Sequence, residues 1–233
     1  MKIWAFLAIA AVASTPARAD LTATYVAANP GMELKMKVEI AANGNLRTDM
    51  SVPGLYLIKG GGHSYLIMAG PAGPIVQDAA DVGAVMRERL AQTDPHFCDA
   101  FAQAPATRLV SRGTTTISGR PGEAFAFDRP GSRTEVVISH DPALAPLAAA
   151  MAAQSRESMA LMPCGPLPVF VQMQALLDSG APLQFGPMQL DTVETGPIDP
   201  AHFVLPGAPL TREQVRAMMM KGAASTARPR PAD

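Results

Sequence analysis

The chain has 233 residues, of which 17% are charged, and its formal net charge at pH 7 is −1. A near-neutral chain without a basic run argues against nucleic acid as a partner, because that affinity comes mainly from neutralising phosphates. The length is enough for one large domain or two small ones with a sizeable core.

The first nineteen residues have the pattern of a secretory signal peptide. Lys2 supplies a basic start, residues 3–13 (IWAFLAIAAVA) form an apolar run, and residues 17–19 (ARA) match an A-x-A cleavage site. The apolar run is shorter than the roughly 20 residues needed to span a bilayer. We therefore predict cleavage after Ala19 and export to an oxidising compartment, the periplasm. Because Asp20 rather than Cys follows the cut, the mature protein is expected to have no lipid anchor and not to span the membrane.

The clearest structural pattern in the mature chain is residues 32–40 (MELKMKVEI), in which apolar and charged residues alternate. A period of two over nine residues predicts a strand about 30 Å long with one buried and one solvent-exposed face. Asn43-Gly44 follows, and this dipeptide suits the positive φ angles of a hairpin turn.

The rest of the chain predicts an antiparallel meander interrupted by helices. Other strands are predicted at residues 21–27, 46–52, 54–59, 63–69, 75–78, 107–112, 114–118, 123–128 and 134–140, with two strand pieces in 183–195. Helical patterns cover residues 79–92 (with Asp78 as the cap), 141–161, 169–177 and 211–221. We predict one domain over residues 20–221 and a disordered tail over residues 222–233, which has only alanine to anchor it.

Cys98 and Cys164 are the only cysteines. In an exported protein, an even pair favours a disulfide. A metal site with His96 is an alternative, although zinc sites normally need four ligands with short-range pairs. Two reduced, unpaired thiols are the other alternative.

The sequence contains no strong catalytic signature. The four histidines lie far apart, and neither HExxH nor GxSxG occurs. Ser139, His140 and Asp141 are consecutive on a predicted strand, where neighbouring side chains point to opposite faces and cannot form a Ser–His–Asp triad. We therefore expect no catalytic residue, metal or cofactor, and keep an enzyme only as a third hypothesis.

Methionine is unusually frequent, with 14 residues in the chain. Flexible thioethers suit surfaces that accommodate variable apolar partners, but they also fill ordinary cores. Plain core packing, an adaptable binding surface and copper(I) ligation therefore all remain open.

Several segments together resemble the periplasmic lipoprotein-carrier-like superfamily, which includes the Lol carrier proteins. These segments are Asn43–Asp49 (N-G-x-L-R-x-D), Tyr56–Gly61 (Y-L-I-K-x-G), Tyr65–Ile67 (Y-L-I) and Pro197–Pro206 (P-I-D-P-A-H-F-V-L-P). The resemblance covers roughly residues 21–206.

The resemblance implies an α+β fold: a curved antiparallel sheet, or incomplete β-barrel, wrapped around a few helices, with an apolar cavity between them. In the carriers this cavity holds lipoprotein acyl chains. The positions implied to line it here are Leu34, Met36, Val38, Met50, Leu57, Leu66, Met151 and Met159.

The sequence thus predicts a non-enzymatic periplasmic protein that binds an apolar ligand: a lipid, an acyl chain or a lipidated partner protein. The alternative is an envelope scaffold or protein-interaction domain whose cavity is filled by its own side chains.

Overall fold

The structure is a computed structural model that describes residues 19–29, 32–102, 107–129 and 131–226. The predicted signal peptide, apart from Ala19, therefore lies outside the described residues. The strands are β1 (Leu21–Asn29), β2 (Met32–Ile40), β3 (Leu46–Asp49), β4 (Tyr56–Gly60), β5 (His63–Gly70), β6 (Gly73–Asp78), β7 (Arg108–Ile117), β8 (Arg120–Arg129), β9 (Ser132–Ser139), β10 (Ala181–Phe185) and β11 (Met188–Thr195). The helices are α1 (Ala79–Thr93), α2 (Phe97–Ala102), α3 (Ala145–Ala160), α4 (Pro168–Ser179) and α5 (Arg212–Thr226), with 3-10 turns at Pro142–Leu144 and Pro200–Phe203.

Within these residues, all eleven strands form one antiparallel sheet in the order β6-β5-β4-β3-β2-β1-β11-β10-β9-β8-β7. Strands β1 to β6 are a meander of sequential neighbours. Strands β7 to β11 also follow chain order, with α3 and α4 inserted between β9 and β10. The two halves meet where β1 pairs with β11. The sheet is curved and does not close, so the predicted α+β architecture of an incomplete barrel is confirmed.

The inner face of the sheet is the one that packs against α3. On β2 it carries Met36, Val38 and Ile40, and α3 contacts β1, β2 and β10. Val38 lies opposite Thr48 of β3, and Thr48 lies opposite Leu57 of β4. Directly opposed residues of an antiparallel pair share a face, so the inner face continues from β2 to the later strands.

The main core lies between the inner face and the start of α3. Leu21 and Tyr25 of β1, Leu183 of β10 and Leu190 of β11 are buried there together with Leu147 of α3. Burying an aliphatic side chain of this size contributes roughly 1.5–3 kcal/mol relative to leaving it exposed. A second cluster lies on the other side of β9, where Val136 and Ile138 pack against α4 through Leu176. Alternate residues of β9 therefore pack on different sides of the sheet: Val137 in the main core with α3, and Val136 and Ile138 against α4.

The outer face of β2 is not solvent-exposed along its whole length, as the alternation had predicted. Glu39 is only 4% exposed, because residues 198–210, here named the C-terminal strap, cross this face. Leu205 of the strap packs on a third apolar cluster formed by Ile58, Ile67 and Val76. The prediction of a fully wet outer face was wrong, since periodicity within one strand cannot report what another segment places on it.

The first helix begins where predicted. The Asp78 side chain accepts a hydrogen bond from Ala80 N at 2.8 Å, which satisfies one of the free N–H groups of the first turn of α1. Helix α2 was not predicted. It carries Cys98, which forms a disulfide with Cys164 in the loop between α3 and α4, with the two Cα atoms 5.2 Å apart. The disulfide that the sequence favoured is therefore present.

The C-terminal helix is longer than predicted. Helix α5 continues to Thr226, so residues 222–226 are helical rather than part of a disordered tail. Ala223 and Ala224 favour the continuation of a helix that has already been nucleated, although Gly222 does not. The rest of the predicted tail lies outside the described residues.

Candidate functional site

The register of the sheet brings most of the predicted cavity residues onto one surface. Val38 and Leu57 both lie opposite Thr48, and Leu57 lies opposite Leu66 of β5. Leu34 and Met36 occupy the same face of β2 by alternation. Apolar side chains of β2, β4 and β5 therefore share the inner face, with the buried Thr48 of β3 between them.

These residues differ in how far they are covered. Val38 is fully buried in the main core. The partly buried members are Leu34, Met36, Leu57, Leu66, Met151 and Met159. Met50 follows the end of β3 and is 40% exposed. The inner face is therefore sealed beside β1 and more open towards β4 and β5.

Two polar contacts hold the second half of α3 against this open part. The Glu157 carboxylate accepts hydrogen bonds from Lys59 Nζ of β4 and from Ser64 Oγ of β5. Lys59 and Ser64 lie opposite each other. Each is two residues from Leu57 or Leu66 along its strand and therefore shares their face of the sheet. The residue preceding Ser64 is the exposed His63. A single helical carboxylate thus contacts two strands next to the apolar surface.

The closed part of the interior is filled by side chains of the chain itself. Tyr25 is fully buried, and its hydroxyl donates a hydrogen bond to Pro182 O at 2.8 Å. Burial raises the pKa of the Tyr25 phenol well above its ordinary value, because the charged form would lose its hydration. The Thr48 hydroxyl is also buried, and it has no hydrogen-bond partner among the described atoms.

One pocket of about 160 Å³ lies between the β2–β3 turn and α3. Its walls include Ile40, Leu46 and Lys59 from the strands, and Ala149 and Ala153 from the helix. None of the eight predicted lining residues borders this pocket, a smaller pocket between α1 and α5, or the two grooves beside His140. The cavity role of those eight residues stays a prediction.

The two grooves beside His140 are larger and lie on either side of the segment Ser139-His140-Asp141. Their volumes are about 380 and 430 Å³, and both include these three residues in their walls. His140 Nδ1 is 2.9 Å from Ser179 O, and the Asp141 carboxylate binds Arg120 at 3.0 Å and Ala143 N at 2.9 Å. His140 and Asp141 follow the end of β9, and their side chains are engaged with separate partners rather than with each other.

A polar cluster on the outer face was missed by the sequence analysis. Glu39 contacts Lys37 Nζ at 2.8 Å and His202 Nδ1 of the strap at 3.0 Å. Arg47 forms a bidentate pair with Asp49 and also donates to His202 O at 3.1 Å. The hydrogen bond to Asp49 raises the pKa of the Arg47 guanidinium. The cluster fixes the strap on the sheet, and the opposite charges at alternate positions of β2 and β3 were its only sequence signal.

Within the described residues, no group of three or more His, Cys, Asp or Glu side chains is arranged to hold a metal ion. Nor does any helix among these residues combine the length and apolar character needed to cross a membrane.

Comparison with known proteins assigns no family. No protein-family model matches the sequence, and no curated protein matches it. A crystal structure of MucB in complex with MucA(peri) matches with 13% identity over 84% of this chain and 53% of that chain, at a TM-score of 0.31. A structure of the Pseudomonas aeruginosa MucA/MucB complex matches with 13% identity over 85% of this chain and 56% of that chain, at a TM-score of 0.35.

The chain therefore spans about half the length of the two chains that it matches. At these TM-scores the matches carry no argument about fold or function, and the resemblance to the lipoprotein carriers stays a prediction.

Proposed function

We propose that this protein is a non-catalytic periplasmic binding protein that holds an apolar ligand, such as an acyl chain, between the inner face of β2–β5 and α3. The observation that carries the proposal is the row of apolar side chains that share this face but are only partly buried. Leu57 and Leu66 lie at its centre. Covering such surface with a ligand would contribute roughly 25 cal/mol per Å².

The side chains at the border of this surface suit a ligand of variable shape. Met36 lies at one end of the row, and Met151 lies on the facing helix. Methionine is unbranched and can repack around different apolar partners. A lipid or a lipidated protein needs this adaptability more than a small polar substrate does.

Helix α3 supplies the element that would move to admit a ligand. Its first half is anchored by buried Leu147, whereas its second half is held to β4 and β5 by the polar contacts of Glu157. The Glu157 side chain is 40% exposed, and partly exposed ion pairs contribute little to stability. Displacing this half of α3 would expose more of Leu57 and Leu66, and it would also have to break the ion pair between Arg156 and Asp178 of α4.

The proposed compartment is supported by the disulfide between Cys98 and Cys164. Disulfides persist in oxidising compartments and are rare in the cytosol. The signal-peptide pattern of residues 1–19 agrees with export.

A ligand-free scaffold is the second candidate, and the packing of the main core favours it. Val38, Leu144 and Leu147 are each at most 1% exposed, so much of the space between sheet and helix is already occupied. In this alternative the partly buried surface is the edge of an ordinary core.

Binding of dansyl-labelled undecanoic acid, followed by fluorescence, separates the two candidates. We expect saturable binding, and native mass spectrometry of protein purified from the periplasm is expected to show a co-purifying lipid. Leu57→Gln and Leu66→Gln are expected to weaken binding at least tenfold, since each removes apolar contact worth more than about 1.4 kcal/mol.

Val204→Gln is the matched control, because Val204 lies on the outer strap and is 65% exposed. It is expected to leave binding unchanged. A clean apo mass together with no saturable fluorescence change would reject the binding proposal and favour the scaffold.

A further inference from the structure

The two edge strands of the sheet, β6 and β7, differ in how far other segments of the chain cover them. At β6, Leu210 N donates a hydrogen bond to Val76 O at 2.9 Å, so the C-terminal strap covers part of that edge. At the opposite end, β7 pairs with β8 alone, and no other strand of the described chain follows it. At the start of β7, Arg108, Ser111 and Arg112 are exposed, and Leu109 and Val110 are half-buried. This edge therefore offers unpaired backbone N–H and C=O groups to another chain.

The N-terminal half of β7, residues 108–112, carries positive charge. Arg108 and Arg112 are the only charged residues of β7. Asp128 of β8 lies opposite Arg108 and accepts hydrogen bonds from Arg112 at 3.0 Å and from Arg133 Nε of β9 at 2.7 Å. Three guanidinium groups thus surround one carboxylate.

The acidic residues near residues 108–112 do not cancel the positive charge of the arginines. The hydrogen bond from Arg133 is the main cause of a lowered pKa at Asp128, and the positive charges of Arg112 and Arg108 add to it. Glu135 is the other acid on this face. It lies on β9, two strands from the free edge, which corresponds to about 10 Å. The edge itself therefore presents cations.

A bulge divides β7 into two regular parts. The pairing with β8 shifts between Ser111 and Gly113, and Gly113 has a φ of 84°. Residues 108–111 are regular on one side of the bulge, and residues 113–117 are regular on the other. Bulges and charges on an edge oppose uncontrolled pairing between identical strands. A second copy of β7 would also bring the same two arginines.

We propose that the free edge of β7 at residues 108–112 binds an extended acidic peptide of a partner protein by strand addition. The peptide backbone would pair with the edge, and its carboxylates would contact Arg108 and Arg112. In this mode, main-chain hydrogen bonds supply affinity while side chains supply specificity. Charge-assisted hydrogen bonds from arginine are stronger than neutral ones, which favours carboxylates.

A fluorescein-labelled peptide of sequence TEVEVEVT tests the proposal by fluorescence anisotropy with the mature protein. We expect saturable binding that weakens as salt is added, because salt screens exposed charges. The first control is the same peptide N-methylated at four consecutive central residues. It keeps the charge but cannot pair through either edge, so its affinity is expected to be at least tenfold lower.

Three variants test the role of charge. Arg112→Glu is expected to weaken binding of the unmodified peptide at least tenfold, and Arg112→Gln by less. Lys35→Glu, which makes the same charge change at an exposed site on β2, is expected to leave the affinity unchanged. Circular dichroism verifies that each variant is folded.

Four results would overturn the proposal. They are the absence of binding, equal affinity for the two peptides, equal affinity for the lysine peptide TKVKVKVT, and dimerisation of the protein in competition with the peptide. The last result would assign the edge to a second copy of the chain.

Discussion

Asp20 connects three separated parts of the fold through one short side chain. Its carboxylate accepts hydrogen bonds from Ala42 N at 2.7 Å and from Ile198 N at 2.8 Å. Its backbone carbonyl accepts a third hydrogen bond, from Gly196 N. The start of β1, the β2–β3 turn and the start of the strap are therefore joined at one residue.

These contacts predict an acid-dependent loss of stability. The backbone hydrogen bonds from Ile198 and Ala42 lower the pKa of Asp20 below its ordinary value, which is about 3.9. The resulting stabilisation is fully present above the unfolded-state pKa and is lost as the pH falls through the folded-state pKa. Urea unfolding at several pH values should show a smaller loss at acid pH for Asp20→Ala than for the wild type. If the free energy of unfolding fell with decreasing pH by the same amount in both proteins, the prediction would be contradicted.

Tyr25 predicts the opposite dependence, at alkaline pH. Burial raises the pKa of its phenol, so the folded state keeps the neutral form where the unfolded chain begins to ionise. This contribution is fully present below the unfolded-state pKa and is lost as the pH rises above about 10. Tyr25→Phe should remove this loss, and at neutral pH it should cost about 1 kcal/mol because Pro182 O loses its donor. Urea unfolding at pH 7 and at alkaline pH measures both effects, and an unchanged alkaline loss would be the contrary result.

At the residue scale, the sequence predicted which side chains share a face of a strand. It did not predict which of them another segment of the chain buries. Alternation placed Leu34, Met36 and Val38 together, which the register bears out. It assigned Glu39 to solvent, whereas the structure buries it beneath the strap. Coverage depends on contacts between residues more than 150 positions apart, and no local pattern contains that information.

At the scale of elements, the disulfide joins two segments that are distant along the chain. Cys98 lies on the short helix α2, and Cys164 lies between α3 and α4, 66 residues further along the chain. Closing a loop of this length restricts the unfolded chain and stabilises the fold by about 4 kcal/mol in the chain-entropy model.

We therefore expect the double variant Cys98→Ala/Cys164→Ala to unfold at a lower urea concentration than the wild type. Adding a reductant should lower the midpoint of the wild type to that of the double variant. The double variant serves as its own control, since a reductant should not affect it. A wild-type midpoint that ignores the reductant would contradict the prediction.

Long elements with a regular period were predictable, and irregular ones were not. The alternation of β2 and the Asp78 cap of α1 fixed those elements to within a residue or two. Residues 107–112 and 114–118 were predicted as two separate strands, but they belong to one strand, β7, with a bulge at Arg112 and Gly113. Glycine with positive φ suits both structures, so only the pairing with β8 distinguishes them. The six residues of α2 were too few for a helical period to emerge.

At the scale of the whole molecule, the sheet is two meanders joined along a single pair of strands. Apart from the pair β1–β11, the strands β1 to β6 pair with their sequence neighbours, and the strands β7 to β11 do the same. The proposed ligand surface belongs to the first meander, and the proposed peptide edge belongs to the second. Each proposal can therefore fail without the other, and a variant in one half is expected to leave binding in the other half unchanged.

The pairing of β1 with β11 also sets an order of assembly. Leu21 lies opposite Thr195, so the strand that completes one side of β1 is synthesised long after β1 itself. The local hairpins of the first meander can close early, since short loops cost little entropy, whereas the β1–β11 pairing must wait for a distant contact. Until β11 arrives, β1 presents an unpaired edge to other unfolded chains. The nascent protein is thus most vulnerable to aggregation at its first strand, which lies at the centre of the finished sheet.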